Sequence, residues 1–281
     1  MTFANAEAAE FWSEMAPTWL ELEDRLDEVA GPPGQWAMER LGLASGERVL
    51  DIGCGLGRTS RALAGAVGPE GHVVGLDISE GMLRAARDHA ARAGVTNVEF
   101  VHGDAQVHDL GAARFDAAYS RFGVMFFADP VAAFTNIHRS IRPGGRISFA
   151  CWQSGLENEW ALVPAAAAMA ALGATPQMPG PDEPGPFSLA DPGRVRSILA
   201  GAGFSSVEVD QRNDLAVTKE ADIPQVARTS IKVGGVRALL QDADEATTRL
   251  VVDAIEEAMR ARVEGGEMKA KRGVNVVSAV A

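Results

Sequence analysis

Apolar residues in the first thirty positions recur at intervals of three and four, so that Phe11, Met15, Trp19, Leu22, Leu26 and Val29 form one stripe. That period marks amphipathic helix and predicts two helices over about residues 4–30. Pro17 suits the first turn of the second helix, where a missing N–H is harmless. Gly31-Pro32-Pro33-Gly34 predicts a firm stop, followed by a short helix over 35–43 and a turn at Ala44-Ser45-Gly46.

From position 48 the pattern changes. Short apolar runs at 48–52, 71–77, 98–102, 115–119 and 146–152 read as strands. Between them, a segment through about residue 67 and those at 81–93 and 130–141 have helical spacing, with Met82, Leu83, Ala86 and Ala90 facing inward. Arg142-Pro143-Gly144-Gly145 breaks the last helix. Alternation of this kind predicts an α/β fold with a doubly wound, mainly parallel sheet. After residue 152 the rhythm fails. Residues 158–172 read as an alanine-rich helix, and 174–193 contain six prolines in an irregular stretch typical of a lid or linker. A helix over 194–202, a strand over 206–210, two or three helices within 222–265 and a strand over 273–280 complete the expectation.

Composition narrows the function. The chain has 281 residues, 47% of them hydrophobic and 23% charged, as expected of a globular protein. Its net charge of −12 argues against a nucleic-acid partner, which needs clustered Lys and Arg. Two cysteines, Cys54 and Cys151, make neither a disulfide framework nor a four-thiolate zinc site. The acidic N-terminus lacks a signal-peptide pattern, and no run of eighteen apolar residues predicts a membrane span; a cytoplasmic location is expected. Lysine occurs only at 219, 232, 269 and 271, which excludes a P-loop lysine or a Schiff-base lysine from the first 218 residues. Tyr119 is the single tyrosine and Gly123 stands four residues on, so the Tyr-x-x-x-Lys pair of short-chain dehydrogenases is missing.

Candidate chemistry centres on Val49-Leu50-Asp51-Ile52-Gly53-Cys54-Gly55-Leu56-Gly57, a strand running through glycines into a helix. Glycines let the backbone turn tightly against a ligand, and the helix start offers free N–H groups to an anion. The spacing is G-x-G-x-G with Asp51 ahead of it, not the G-x-G-x-x-G of dinucleotide sites. A methionine moiety suits it, with Asp51 taking the ammonium and backbone N–H groups the carboxylate; the alternative is that Asp51 only caps the turn. Asp77, closing the second strand, can accept from two ribose hydroxyls, or else cap a helix in competition with Ser79. Asp104 can accept from an adenine amino group, or else shape a surface turn. His72, His89, His102, His108 and His138 show no metal-ligand spacing, and only His108, in a loop near the cofactor edge, is kept as a candidate for the acceptor side. Trp12, Trp19, Phe122, Met125, Phe126 and Phe127 are candidates for an apolar acceptor pocket or, alternatively, ordinary core.

Taken in order, these pieces resemble the class I S-adenosylmethionine-dependent methyltransferases, nearest the ubiquinone/menaquinone-biosynthesis branch. The likeness rests on 49–57, on Val74-Gly75-Leu76-Asp77-Ile78-Ser79, on 82–87, on Gly103-Asp104-Ala105, on Ser120-Arg121-Phe122-Gly123 and on 141–145, within about residues 45–152. It implies a Rossmann-like, seven-stranded sheet with N-terminal helices and a helical insertion as lids. The implied organisation is an N-terminal helical lid over 1–44, a cofactor-binding core over 45–152, an insertion or loop lid over 153–193, and the rest of the sheet over 194–281 with helices at about 220–265. It implies Asp51, Gly53, Gly55 and Gly57 around the methionine part and Asp77 on the ribose. Ile78 and Met82 become adenine walls, Asp104 and Ala105 the adenine edge, and Ser120 the position beneath the methionine amine, facing the acceptor. The N-terminal helices close over the cofactor in this likeness, and the segment after the fourth strand lines the acceptor. The activity implied is methyl transfer (EC 2.1.1) to a small, apolar or aromatic, quinone-like or natural-product acceptor. Ser120-Arg121-Phe122-Gly123 replaces the Asn-Pro-Pro-Tyr motif of nucleobase and glutamine methylation, and the three-acid metal set of catechol methyltransferases is not visible, so no metal and no catalytic residue is assigned. The competing readings are a nicotinamide-dependent oxidoreductase on a similar sheet and a non-catalytic cofactor-binding protein.

Overall fold

The computed structural model describes residues 3–175 and 183–281, so part of the proline-rich 174–193 stretch lies outside the described residues. In chain order the elements are α1 Ala6–Glu21, α2 Glu23–Leu41, β1 Arg48–Ile52, α3 Arg58–Val67, β2 His72–Asp77, α4 Glu80–Arg92, β3 Val98–His102, β4 Phe115–Arg121, α5 Pro130–Ser140 and β5 Ile141–Trp152. They continue as α6 Glu159–Leu172, α7 Pro192–Gly201, β6 Ser205–Lys219, α8 Ile223–Ser230, α9 Gly234–Leu239, α10 Glu245–Arg260, β7 Val263–Glu264 and β8 Glu267–Val280. The chain divides into two compact units. One holds Met1–Trp152, Pro181–Gln211 and Val274–Ala281; the other holds Gln153–Gly180 and Arg212–Gly273.

The sheet order is β3-β2-β1-β4-β5-β8-β6, with the first five strands parallel and β8 antiparallel to β5. Register is set in the middle: Leu50 of β1 lies opposite Val74 of β2 and Ala118 of β4. These strands are apolar almost throughout because helices cover both faces of a parallel sheet. Val49, Leu50, Val73, Ala117, Ala118, Ile147 and Phe149 are buried, under Leu63 of α3, Leu83 of α4 and Phe134 of α5. Chain order jumps outward in both directions from the β1–β4 pair. The carboxyl ends of those two strands therefore flank the switch point where such sheets take ligands.

The doubly wound, mainly parallel sheet is borne out, with corrections in detail. Among the described residues the sheet has eight strands rather than seven, because the two-residue β7 pairs with β8 and is too short to leave an apolar pattern. β6 is far longer than the expected 206–210, since its second half alternates half-buried and exposed residues instead of showing an apolar run. Pro17 does not start a helix; α1 passes through it and the break falls at Leu22. Nor do the glycines and prolines at 31–34 end α2. Tertiary contact explains this: Gly34 lies against Arg121 and Tyr119 where a Cβ would clash, and the Tyr119 hydroxyl donates to its carbonyl at 2.9 Å.

In the second unit α6, α8 and α10 bury Ala168, Ile223, Ala227, Val251, Ile255 and Met259 against each other. Asn158 is fully buried there. Its amide donates to the carbonyls of Gln153, Ser154 and Gly273, and its Oδ1 accepts from Trp160 Nε1 and the Gly273 N–H, which satisfies every polar group.

Candidate active site

β1 delivers the chain into three left-handed glycines, with φ +67° at Gly53, +54° at Gly55 and +74° at Gly57. A Cβ on Gly53 would lie 2.8 Å from the Gly123 Cα, so two loops, one after β1 and one after β4, touch backbone to backbone. Gly55 differs: nothing stands within 4 Å of the place its Cβ would take. That side is open for a ligand, and the loop is closely packed elsewhere.

Asp51, ahead of the glycines, is wholly buried. Its Oδ2 accepts from Thr59 Oγ1 at 2.7 Å and Ser60 Oγ at 2.6 Å, both from the first turn of α3. Its Oδ1 has no partner. Burial pushes the carboxyl pKa up to about 6, against the lowering effect of the two hydroxyls. A buried carboxylate oxygen with no donor fits an ammonium group and suits a neutral ligand poorly.

Asp77 ends β2 with both oxygens engaged. Oδ2 accepts the Gly55 N–H and Oδ1 the Ser79 N–H, each at 2.8 Å. Burial raises its pKa too, opposed by those backbone bonds. Ser79 provides the α4 cap by accepting from the Met82 N–H, so Asp77 is not the cap but a brace between β2 and the glycine loop. Met82 is buried and Ile78 half-buried, its carbonyl taking a bond from His102 Nε2 at 3.0 Å.

Asp104 and Ala105 follow β3, both buried. Asp104 is held by Asn5, whose N–H reaches Oδ2 at 2.9 Å and whose amide reaches Oδ1 at 2.8 Å; the Gln106 N–H also donates to Oδ1. Asn5 Oδ1 in turn accepts from the Ala128 N–H at 2.6 Å. Asn5 therefore clasps the N-terminus onto the loops after β3 and β4. The Ala105 carbonyl accepts from Asn136.

Of the N-terminal helices, α1 packs on α4, and α2 packs along β4 and β5. Ala16, Leu56 and Met82 form a small cluster against which Trp12 and Trp19 pack, with Trp12 edge-on to Trp19 and to Phe126. Trp12 and Trp19, expected toward the acceptor, thus pack on the glycine-loop Leu56 and the adenine-wall candidate Met82. From α2, Glu23, Asp24 and Asp27 pair with Arg58, and Asp27 also pairs with Arg121 at 2.6 Å.

The remaining candidates separate. The Ser120 side chain is fully buried and donates to the Ile52 carbonyl at 2.8 Å while accepting from the Gly123 N–H, so its hydroxyl ties the two loops together instead of facing an acceptor. His108 packs its ring under Gly103, where a Cβ would meet it at 2.5 Å, which places it beside the loop after β3. Met125 is buried, and its carbonyl accepts from the Gly185 N–H and Ser188 Oγ. Phe122 is half-buried beside Trp152. Sequence reasoning missed Asn5, Thr59, Ser60, Asp27, Arg121 and Trp152. Only Thr59-Ser60 left a signal, two hydroxyls in the first turn after a glycine loop. Among the described residues no cluster of His, Cys, Asp and Glu could hold a metal, and no helix is long and apolar enough to cross a membrane.

Residues 49–145 match a family model described as a methyltransferase domain. Demethylmenaquinone methyltransferase of Geobacillus kaustophilus is 38% identical to this chain over 108 residues, which are 38% of this chain and 46% of that protein. Residues 49–145 are a methyltransferase domain. The resemblance to the S-adenosylmethionine-dependent class is borne out, and the nicotinamide alternative is not favoured. The chain spans about half the length of the curated relatives it matches. The methyltransferase domain is accompanied by likeness to solved structures at the level of fold. YcgJ of Bacillus subtilis superposes with a TM-score of 0.59 at 16% identity, covering 89% of this chain and 98% of its own. Phosphoethanolamine N-methyltransferase 2 of Haemonchus contortus, solved with S-adenosyl-L-methionine, gives 0.54 at 18% identity, over 88% of this chain and 51% of its own.

Proposed function

We propose that this chain transfers a methyl group from S-adenosylmethionine to a small, flat, apolar acceptor of quinone-like type. The observation that carries the proposal is Asp51 Oδ1, a buried carboxylate oxygen with no partner beside a glycine loop that is open only at Gly55. A methionine ammonium answers that oxygen. Asp77 would hold the ribose, Ile78, Met82, Asp104 and Ala105 the adenine, and the face of Gly55 the methionine carboxylate region. The cofactor supplies an electrophilic sulfonium methyl. Bound there, the cofactor would give its methyl to the acceptor with the S–CH3 electron pair going to sulfur, and the proton displaced from the acceptor would pass to bulk solvent as the product leaves. The chain's own part is positioning. A nucleophile held about 3–3.5 Å from the methyl with water excluded lowers the barrier by about 7–11 kcal/mol, and α1, whose Ala16, Trp12 and Trp19 pack with Leu56 and Met82, would help to exclude that water. No side chain is assigned as acid or base, and none is required for displacement at a sulfonium.

The test is calorimetric titration with S-adenosylhomocysteine and with NADH, followed by anaerobic turnover of 1,4-dihydroxynaphthalene with S-adenosylmethionine. Binding of the first alone, with methylated naphthol product, is the expected result. Binding of NADH instead would overturn the cofactor; binding without turnover on any aromatic acceptor would favour a non-catalytic cofactor-binding protein.

A further inference from the structure

Phe122 has φ +61°, a left-handed conformation that bulky L residues rarely adopt. Three constraints keep it there. Its N–H donates to the Ala150 carbonyl at 3.0 Å, the next residue's N–H is held by Ser120, and Gly123 is pressed against Gly53 with no room for a side chain between them. A glycine at 122 would make this turn without strain, so the pairing of strands does not explain the ring. What the ring does is lie on Trp152, with centroids 3.8 Å apart and planes 12° from parallel. Strain retained at one residue because of what its side chain does is a mark of function.

The location agrees. Phe122 follows the last residue of β4 and Trp152 is the last residue of β5, so the pair stands at two adjacent carboxyl ends next to the glycine loop of β1. Trp152 is 6% exposed and forms the backing, while Phe122 is half-buried and forms the front. We propose that the Phe122–Trp152 stack is the ring-recognising wall of the acceptor site and selects a flat aromatic acceptor over a saturated one of the same size. This rests on the methyl-transfer reading above. Aromatic pairs contribute more than their buried area alone, equivalent to about 2- to 12-fold in affinity, and a saturated ring forgoes that part.

The experiment uses the full chain saturated with S-adenosylhomocysteine and measures, without oxygen, the binding of 1,4-dihydroxynaphthalene and of its saturated counterpart, decahydronaphthalene-1,4-diol. Wild type should prefer the aromatic diol. Phe122→Leu should weaken the aromatic diol about 2- to 12-fold, leave the saturated diol unchanged and leave S-adenosylhomocysteine affinity unchanged, the last showing that the site still folds; Phe122→Tyr should restore the preference. Equal weakening of both diols by Phe122→Leu would reduce the residue to apolar filling and overturn the proposal, as would no change in either. Wild type that binds S-adenosylhomocysteine but does not prefer the aromatic diol also overturns it. Failure to bind S-adenosylhomocysteine at all is a different result and removes the methyl-transfer reading beneath it.

Discussion

Replacing Asp51 by Asn should change stability and ligand binding in different ways, and the difference follows from its burial. In the ligand-free protein Asp51 titrates at about 6, against 3.8 for a free carboxyl. Its folded pKa is raised, so its contribution to stability is fully present below about pH 4 and is lost as pH climbs through 6. The rise corresponds to about 3 kcal/mol by pH 8, as an order of magnitude. Asp77, also raised by burial, slopes the same way, so the informative quantity is the difference between wild type and Asp51→Asn. Denaturant unfolding from pH 4 to 8 should show wild type losing stability relative to the variant as pH rises. Ligand binding runs the other way. An ammonium on Oδ1 needs the carboxylate, and at pH 5 only about a tenth of Asp51 is ionised, so S-adenosylhomocysteine should bind about tenfold more weakly than at pH 8. In Asp51→Asn the affinity should be low and nearly flat with pH. Calorimetry at pH 5, 6, 7 and 8 decides it. A wild-type affinity independent of pH, or an equal slope in the variant, refutes the idea that Oδ1 awaits an ammonium.

Asp77→Ala should cost about 1.5–3 kcal/mol of S-adenosylhomocysteine binding, and a rise in the crystallographic B-factors of Gly55 should accompany it because the brace on its N–H is gone; unchanged affinity would contradict a ribose role. Gly55→Val should keep its fold less firmly, being left-handed, and lose binding by filling the open face, whereas Gly53→Ala should chiefly destabilise the protein, since a Cβ there strikes Gly123; thermal melts with and without ligand separate the two. Asn5→Ala should loosen α1 without unfolding the sheet, seen as faster amide exchange over residues 5–20, and ligand should restore protection there if α1 is a lid. Equal exchange in the presence and absence of ligand would make it static scaffold.

The alternation of 3.6-residue and short apolar periods from 48 to 152 was enough to place five strands and their helices, because each side chain's burial in a two-sided sheet depends on its own segment's pattern. The same region carried the glycine loop, Asp51, Asp77 and Asp104, whose spacing is local and whose chemistry is written in residue type. Pattern failed where a distant contact outweighed a local preference. Gly31 to Gly34 should stop a helix, yet α2 continues because Gly34 packs on β4 and Tyr119 bonds its carbonyl. Ser120 and His108 have polar groups that suit a site, but the fold spends one on joining two loops and lays the other beneath Gly103.

Which residues meet across the site was a matter of three dimensions alone. Asn5 lies 99 positions from Asp104, Asp27 lies 94 from Arg121, and Phe122 reaches Trp152 over the ends of two strands. No periodicity encodes such pairs, since they depend on where helices land after the sheet has twisted and closed its core. Residue identity and local spacing named the cofactor chemistry; the Phe122–Trp152 stack, made by a left-handed turn after β4 and the end of β5, came only with the tertiary structure.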